Sequence, residues 1–139
     1  MSTNPVVIHT EDVERHYRLG DEVVKALDGV TADIYEGEFL SIMGPSGSGK
    51  STFFNMIGGL DNPTGGKIFL NGQDIAELSE RELAYMRCNN MGYIFQTFNL
   101  IPVMSATENV ALPLIFSGLP VEEAEERAGE VLTRVGLGD

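Results

Sequence analysis

Cysteine occurs once in this 139-residue chain, at Cys88, so no internal disulfide can form. The two histidines, His9 and His16, have no Cys or carboxylate partners at zinc-ligand spacing and read as surface residues. Basic side chains are scarce. Nine Lys and Arg stand against 21 Asp and Glu, a net charge of −12, which excludes non-specific binding to nucleic acid or anionic lipid. The longest apolar run, Val110 to Phe116, is interrupted by Pro113 and is far too short to cross a bilayer. The first residues lack the basic-then-apolar pattern of a signal segment, and a reducing, cytoplasmic setting is the default expectation. Hydrophobic content of 42% and charged content of 22% are those of a soluble globular protein, long enough to bury a core as one domain or a piece of one. Part of the acidity is concentrated in Glu122, Glu123, Glu125, Glu126 and Glu130, which reads as a solvated helix face.

The chain is organised around Glu38 to Thr52. Glu38 to Met43 reads as a buried strand, followed by a glycine-rich turn and a helix start. Gly44-Pro45-Ser46-Gly47-Ser48-Gly49-Lys50-Ser51 fits G-x-x-x-x-G-K-[ST], with Thr52 next. Small residues there let successive backbone N–H groups curl around a phosphate, a concavity that bulky side chains would fill. The helix beginning near Lys50 adds free N–H groups and the positive end of its dipole. Lys50 can place an ammonium on the β- and γ-phosphates, and the Ser51 hydroxyl can ligate Mg²⁺. A plain glycine-rich turn that happens to carry a lysine is the competing reading. The preceding apolar run disfavours it, as do Phe53, Phe54, Met56, Ile57 and Leu60 following at helical spacing. A dinucleotide fingerprint fails, because Gly47-x-Gly49 is not followed by a third glycine.

Around this loop the pattern predicts an antiparallel front. Val6 to Val13 and Val23 to Leu27 read as strands joined at Leu19-Gly20-Asp21-Glu22, and Asp28-Gly29 reads as a turn into a third strand, Val30 to Tyr35. Glu36-Gly37 then turns towards the loop strand. Beyond the loop helix, Asp61-Asn62-Pro63-Thr64-Gly65-Gly66 is a dense turn cluster, and Lys67 to Leu70 with Asn71-Gly72 suggests an edge strand or hairpin. Ser79 and Glu82 form a capping box opening a helix to about Cys88. Met91 to Phe95 reads as a short buried strand ending at Gln96. Ser105 or Thr107 caps a helix running to Phe116 with a bend near Pro113. The last helix begins at Pro120, carries Val121, Ala124, Ala128, Val131, Leu132 and Val135 on one face, and stops at Gly136.

Two residues outside the loop are candidates with open alternatives. Gln96 stands at the carboxyl end of an expected core strand, where its amide can reach a metal or orient a water, or can simply face solvent. Tyr17, near a turn, can stack on adenine or serve as plain packing.

The sequence resembles the ATP-binding subunit of an ABC transporter, in particular the branch serving lipoprotein release and macrolide export (LolD- and MacB-like). The matching segments are His16-Tyr17 with Val24-Lys25-Ala26-Leu27, Glu36-Gly37-Glu38-Phe39, the Gly44 to Thr52 loop, and Gly59 to Gly66. Gly92 to Pro102, Glu108-Asn109-Val110 and Pro113-Leu114 extend the likeness almost end to end. The resemblance implies an α/β fold: a P-loop NTPase (ABC ATPase) core with an N-terminal antiparallel β subdomain, about residues 1–97, and the start of a helical subdomain, about residues 98–139. It implies ATP and Mg²⁺ as ligands, with Tyr17 stacking on adenine and Gln96 as the Q-loop glutamine that senses Mg²⁺ and the γ-phosphate. Lys50 and Gln96 would serve catalysis, and Ser51 and Gln96 the metal. Thr97 to Phe116 would face a membrane permease, placing the protein peripherally on the inner face of the cell membrane, and full-length ATPase domains would pair as homodimers.

The departures are equally concrete. The family's LSGGQ signature is absent, as are the later apolar strand ending in Asp-Glu and the switch histidine. Ile57-Gly58-Gly59-Leu60-Asp61 lies in the loop helix and its exit and cannot serve as the signature. A truncated ATPase domain is therefore expected, binding nucleotide with little or no turnover alone. An ABC-type ATPase of DNA repair or translation is the alternative. It is disfavoured because Thr97 to Phe116 contains no Lys or Arg. A small-molecule kinase is weaker still, since kinases begin with the loop strand.

Overall fold

Two long strands carry the front of the molecule. β1 (Val6–Leu19) and β2 (Glu22–Tyr35) form one antiparallel hairpin in a computed structural model that describes residues 4–95 and 97–138. Their pairing ends in Leu19 opposite Glu22 across Gly20-Asp21, the turn expected from sequence. β2 is one strand rather than two. Asp28-Gly29 does not reverse the chain but is absorbed as a bulge, because two steps on β1, from Val13 to Arg15, face three on β2, from Val30 to Leu27. β3 (Gly65–Leu70) pairs with the other edge of β1, and β4 (Gln73–Asp74) follows through the Asn71-Gly72 turn, giving the order β2-β1-β3-β4. The interior position of β1 explains why Thr10 is fully buried. Its hydroxyl accepts from the Ala32 amide at 2.9 Å and so leaves no polar orphan.

The sheet supplies Val13, Leu27, Ile68 and Leu70 to a core completed by Phe53, Met56 and Ile57 of α1 (Lys50–Ile57). Burial of each such side chain contributes about 1.5–3 kcal/mol. Ile75 in a short 3-10 turn (Ile75–Glu77) and Leu83 in α2 (Glu80–Asn90) are also buried. The Ser79–Glu82 capping box opens α2 as expected, with the Ser79 amide donating to the Glu82 carboxylate at 2.9 Å.

The chain divides into two compact units, residues 1–83 and 84–139. Within the second, α3 (Ala106–Phe116) and α4 (Val121–Arg134) pack through Ala111, Ala124 and Ala128, with Val110, Leu114, Ile115 and Leu119 around them. Ser105 caps α3 by a full capping box with Glu108, so of the two expected caps the serine serves. Pro120 caps α4, and at its far end the Leu137 amide reaches back to the Leu132 carbonyl at 2.9 Å. Val121, Val131 and Val135, expected on the buried stripe of α4, are exposed.

Two expected strands are not formed. Glu38 to Met43 and Met91 to Phe95 run without joining any ladder among the described residues. A strand exists through its neighbours' hydrogen bonds, and the four strands that do pair are antiparallel and use one another's edges. Phe39 and Met43 are accordingly 94% and 89% exposed, the opposite of the burial their pattern predicts. Among the described residues, no helix is long and apolar enough to cross a membrane.

Candidate functional site

The loop between Gly44 and Gly49 ends on the N-terminus of α1. Gly49 is its N-cap at φ 85°, ψ 1°, a left-handed conformation. A Cβ there would fall 2.3 Å from the Ala26 carbonyl oxygen, so the loop lies directly against the backbone of β2 and only glycine fits. The first helical hydrogen bond runs from the Phe53 amide to the Gly49 carbonyl at 2.8 Å. Upstream of it, the amides of Gly47, Gly49, Lys50 and Ser51 meet no acceptor among the described residues. No side chain caps the helix, and its first turn contains no acidic residue, so no internal anion competes for these donors.

Lys50 closes the loop upon itself. Its ammonium donates to the Gly44 carbonyl at 2.9 Å, the Pro45 carbonyl at 2.7 Å and the Ser48 hydroxyl at 3.3 Å. Three donors thus meet three oxygens of the loop, which sets the positive charge at the mouth of the curl formed by Pro45 to Ser48, where the Ser48 amide bonds the Pro45 carbonyl at 3.3 Å. The curl is also tight at Gly44, where a Cβ would stand 2.6 Å from the Ser48 oxygen. Ser51 is exposed and Thr52 half-exposed on the first turn of α1. The residues proposed from sequence to hold phosphate, Gly44 through Thr52, are therefore brought together in one turn.

Tyr17 sits on β1 in the same unit, half-buried. Its hydroxyl donates to Asp61 Oδ2 at 3.2 Å, and the Arg15 guanidinium lies over its ring, 4.7 Å from the centroid. Arg15 in turn bridges Asp61 Oδ1 at 2.9 Å. The Arg15 pKa is raised, first by its contact with Tyr17 and less by the Asp61 charge, against desolvation. Sequence reasoning gave Arg15 and Asp61 no role. The available signal was the two-residue spacing of Arg15 and Tyr17, which puts both on one face of a strand. Gln96 lies outside the described residues.

A family model described as ABC transporter matches residues 27–139. The chain belongs to this family. An uncharacterized ABC transporter ATP-binding protein of Thermotoga maritima is 46% identical over 133 residues, covering 96% of this chain and 57% of that protein. A macrolide export ATP-binding/permease protein, MacB, of Hyphomonas neptunium is 46% identical over 135 residues, covering 97% of this chain and 21% of its own length. The solved dimeric ATP-binding cassette MJ0796, in a post-hydrolysis state bound to ADP and Pi, superposes with a TM-score of 0.84 at 46% identity, covering 91% of this chain and 56% of that one. The chain thus carries the ABC ATPase fold and spans just over half the length of the Thermotoga maritima protein and of the MJ0796 cassette.

A further cluster lies away from the loop of this ABC ATPase chain. His9 hydrogen-bonds Asp33 through Nδ1 at 2.6 Å and Glu11 through Nε2 at 3.1 Å, so the carboxylates missing from the sequence spacing are supplied across and along the sheet. They bind opposite edges of the ring, and no group of three such residues able to hold a metal ion occurs among the described residues. The three side chains border a cavity of about 330 Å³ also lined by Phe69, Val6 and Val7.

Proposed function

We propose that this chain binds Mg-ATP as the nucleotide-binding part of an ABC transport ATPase serving export or lipoprotein release. The observation that carries the proposal is the Lys50 ammonium held on the loop oxygens of Gly44, Pro45 and Ser48, beside the Gly47, Gly49, Lys50 and Ser51 amides that meet no acceptor among the described residues at the N-terminus of α1. In this reading the amides from Ser46 to Ser51 surround the phosphate tail, and Lys50 exchanges one of its loop oxygens for a β- or γ-phosphate oxygen. The Ser51 hydroxyl, exposed on the first turn, fits a hard cation and would hold Mg²⁺, which neutralises charge on the triphosphate. Tyr17 stacks on the base, and Gln96 contacts the metal and the attacking water. Lys50 would offset charge on the γ-phosphate during in-line attack, and Mg²⁺, were it held by Ser51 and Gln96, would supply further countercharge there.

The sequence contains no LSGGQ motif and no later strand ending in Asp-Glu, so binding with little turnover is expected of this chain on its own. The partner surface is Thr97 to Phe116. Phe98 and Val103 are 90% and 93% exposed there, Leu100 and Phe116 are also exposed, and no basic residue interrupts them, as docking to a membrane permease requires. Full-length ATPase domains would pair as homodimers on the inner face of the membrane. The dimeric MJ0796 cassette and the ATP-binding/permease name of MacB support both partner assignments.

Lys50→Ala tests the site. Calorimetry should show Mg-ATP affinity reduced by about tenfold or more, the worth of a charge-assisted contact, with an unchanged thermal transition. Unfolding of the variant would assign Lys50 a structural role, and wild-type chain giving no heat with millimolar Mg-ATP would overturn the proposal.

A further inference from the structure

We propose that Asp61 is a positioning residue for the nucleotide base, acting through Tyr17 and Arg15. The inference rests on the reading of Tyr17 as the stacking residue and goes beyond it by identifying what holds the ring. The Asp61 carboxylate accepts from three donors: the Tyr17 hydroxyl at 3.2 Å, the Arg15 guanidinium at 2.9 Å and the Asn62 amide at 2.8 Å. The first contact fixes the far end of the ring. The second fixes a cation 4.7 Å from the ring centroid. With one face of Tyr17 covered by that guanidinium, a stacking base would take the opposite face. The cation behind the ring also draws on its π density, an arrangement that stacks well with an electron-rich purine.

Asp61 is itself held on both sides. Before it, the Gly59 and Leu60 amides bond Met56 and Asn55 of α1 at 3.0 and 2.9 Å. After it, the Thr64 amide bonds the Glu14 carbonyl at 2.8 Å, and the Thr64 hydroxyl accepts from the His16 amide at 3.2 Å. The carboxylate therefore ties the base-stacking strand to the exit of the helix whose entrance carries Lys50 and Ser51. The Arg15 Nε is buried with no partner among the described residues, so the guanidinium depends on Asp61 and the ring for its place. The eight-residue α1, about 12 Å long, thus runs from the loop that carries Lys50 to the turn that carries Asp61.

The test compares Mg-ATP with Mg-tripolyphosphate, which has the phosphates and no base, by calorimetry on folded protein. Asp61→Ala should weaken Mg-ATP about fivefold to tenfold and leave tripolyphosphate within about twofold, the size of a lost stacking alignment. Tyr17→Phe keeps the ring and loses its tether. It should weaken Mg-ATP by about threefold, and Asp61→Ala added to it should cost less than in the wild type. Asp61→Asn, which retains an acceptor for the hydroxyl but not the charge, should fall between wild type and Asp61→Ala. Equal loss of both ligands in Asp61→Ala would make Asp61 merely structural and overturn the proposal, as would full additivity with Tyr17→Phe. Tyr17→Ala separates the two ideas. Wild-type Mg-ATP affinity there brings down the stacking reading together with this one, whereas a large loss in Tyr17→Ala beside no loss in Asp61→Ala overturns the positioning role alone. If Asp61→Ala fails to fold, Tyr17→Phe carries the test.

Discussion

At the scale of single residues, the loop depends on what its glycines leave open. Gly49 and Gly47 both have positive φ, 85° and 80°, yet a Cβ at Gly49 would meet a backbone oxygen at 2.3 Å while one at Gly47 would meet open space. Gly47→Ala should therefore cost only the left-handed penalty, about 1 kcal/mol, whereas Gly49→Ala should cost at least about 2–3 kcal/mol by urea unfolding. Equal losses would mean that the approach of the loop to Ala26 is not tight. His9 provides the residue-scale pH dependence. Its pKa is raised above 6.5, first by the hydrogen bond to Asp33 and then by that to Glu11. A raised pKa in the folded state means that its stabilising contribution is complete below pH 6.5 and is lost as pH rises through the folded value. Unfolding midpoints should fall over that interval in the wild type, and His9→Gln, which cannot titrate, should remove that part of the slope.

At the scale of elements, local chemistry decides what forms and non-local pairing decides what does not. α3 illustrates the first. The Ser105 hydroxyl accepts from the Glu108 amide and the Glu108 carboxylate accepts from the Ser105 amide at 2.6 Å, which lowers the Glu108 pKa. Ser105→Ala should cost about 1 kcal/mol, and amide exchange in the first turn of α3 should quicken about fivefold while that of β1 stays unchanged. Such caps were legible in the sequence because they are contained within four residues. So were the Leu19 to Glu22 and Asn71-Gly72 turns, and so was the loop helix with its buried Phe53, Met56 and Ile57. Asp28-Gly29 was misread, because a turn dipeptide and a bulge look alike until the partner strand's register is known. Glu38 to Met43 and Met91 to Phe95 were misread for a related reason. Apolar runs report an affinity for burial, while a strand also needs neighbours that the run itself does not contain. The Arg15–Tyr17–Asp61 cluster was only half legible. The strand spacing was visible, but the partner 44 residues away from Tyr17 was not.

At the scale of the molecule, the apolar runs that join no ladder among the described residues bear on self-association. Phe39, Leu40 and Met43 lie exposed in the first unit, and Ile94, Phe98, Leu100 and Val103 lie exposed in the second. Scattered apolar side chains are ordinary on a protein surface, but two strand-like runs that join no ladder among the described residues and carry exposed apolar side chains are templates for association. The net charge of −12 opposes that association through long-range repulsion, which salt screens within a Debye length of about 8 Å at physiological ionic strength. Self-association should therefore rise with added salt, the reverse of an ion-paired interface. The double variant Phe39→Lys with Met43→Glu should reduce both salt-induced association, measured by sedimentation velocity, and binding of an apolar dye. Because these side chains are almost fully exposed, the substitutions remove little buried area, and the thermal midpoint should move by less than about 2 °C. A midpoint falling much further would show that the Glu38 to Met43 run is buried in solution after all.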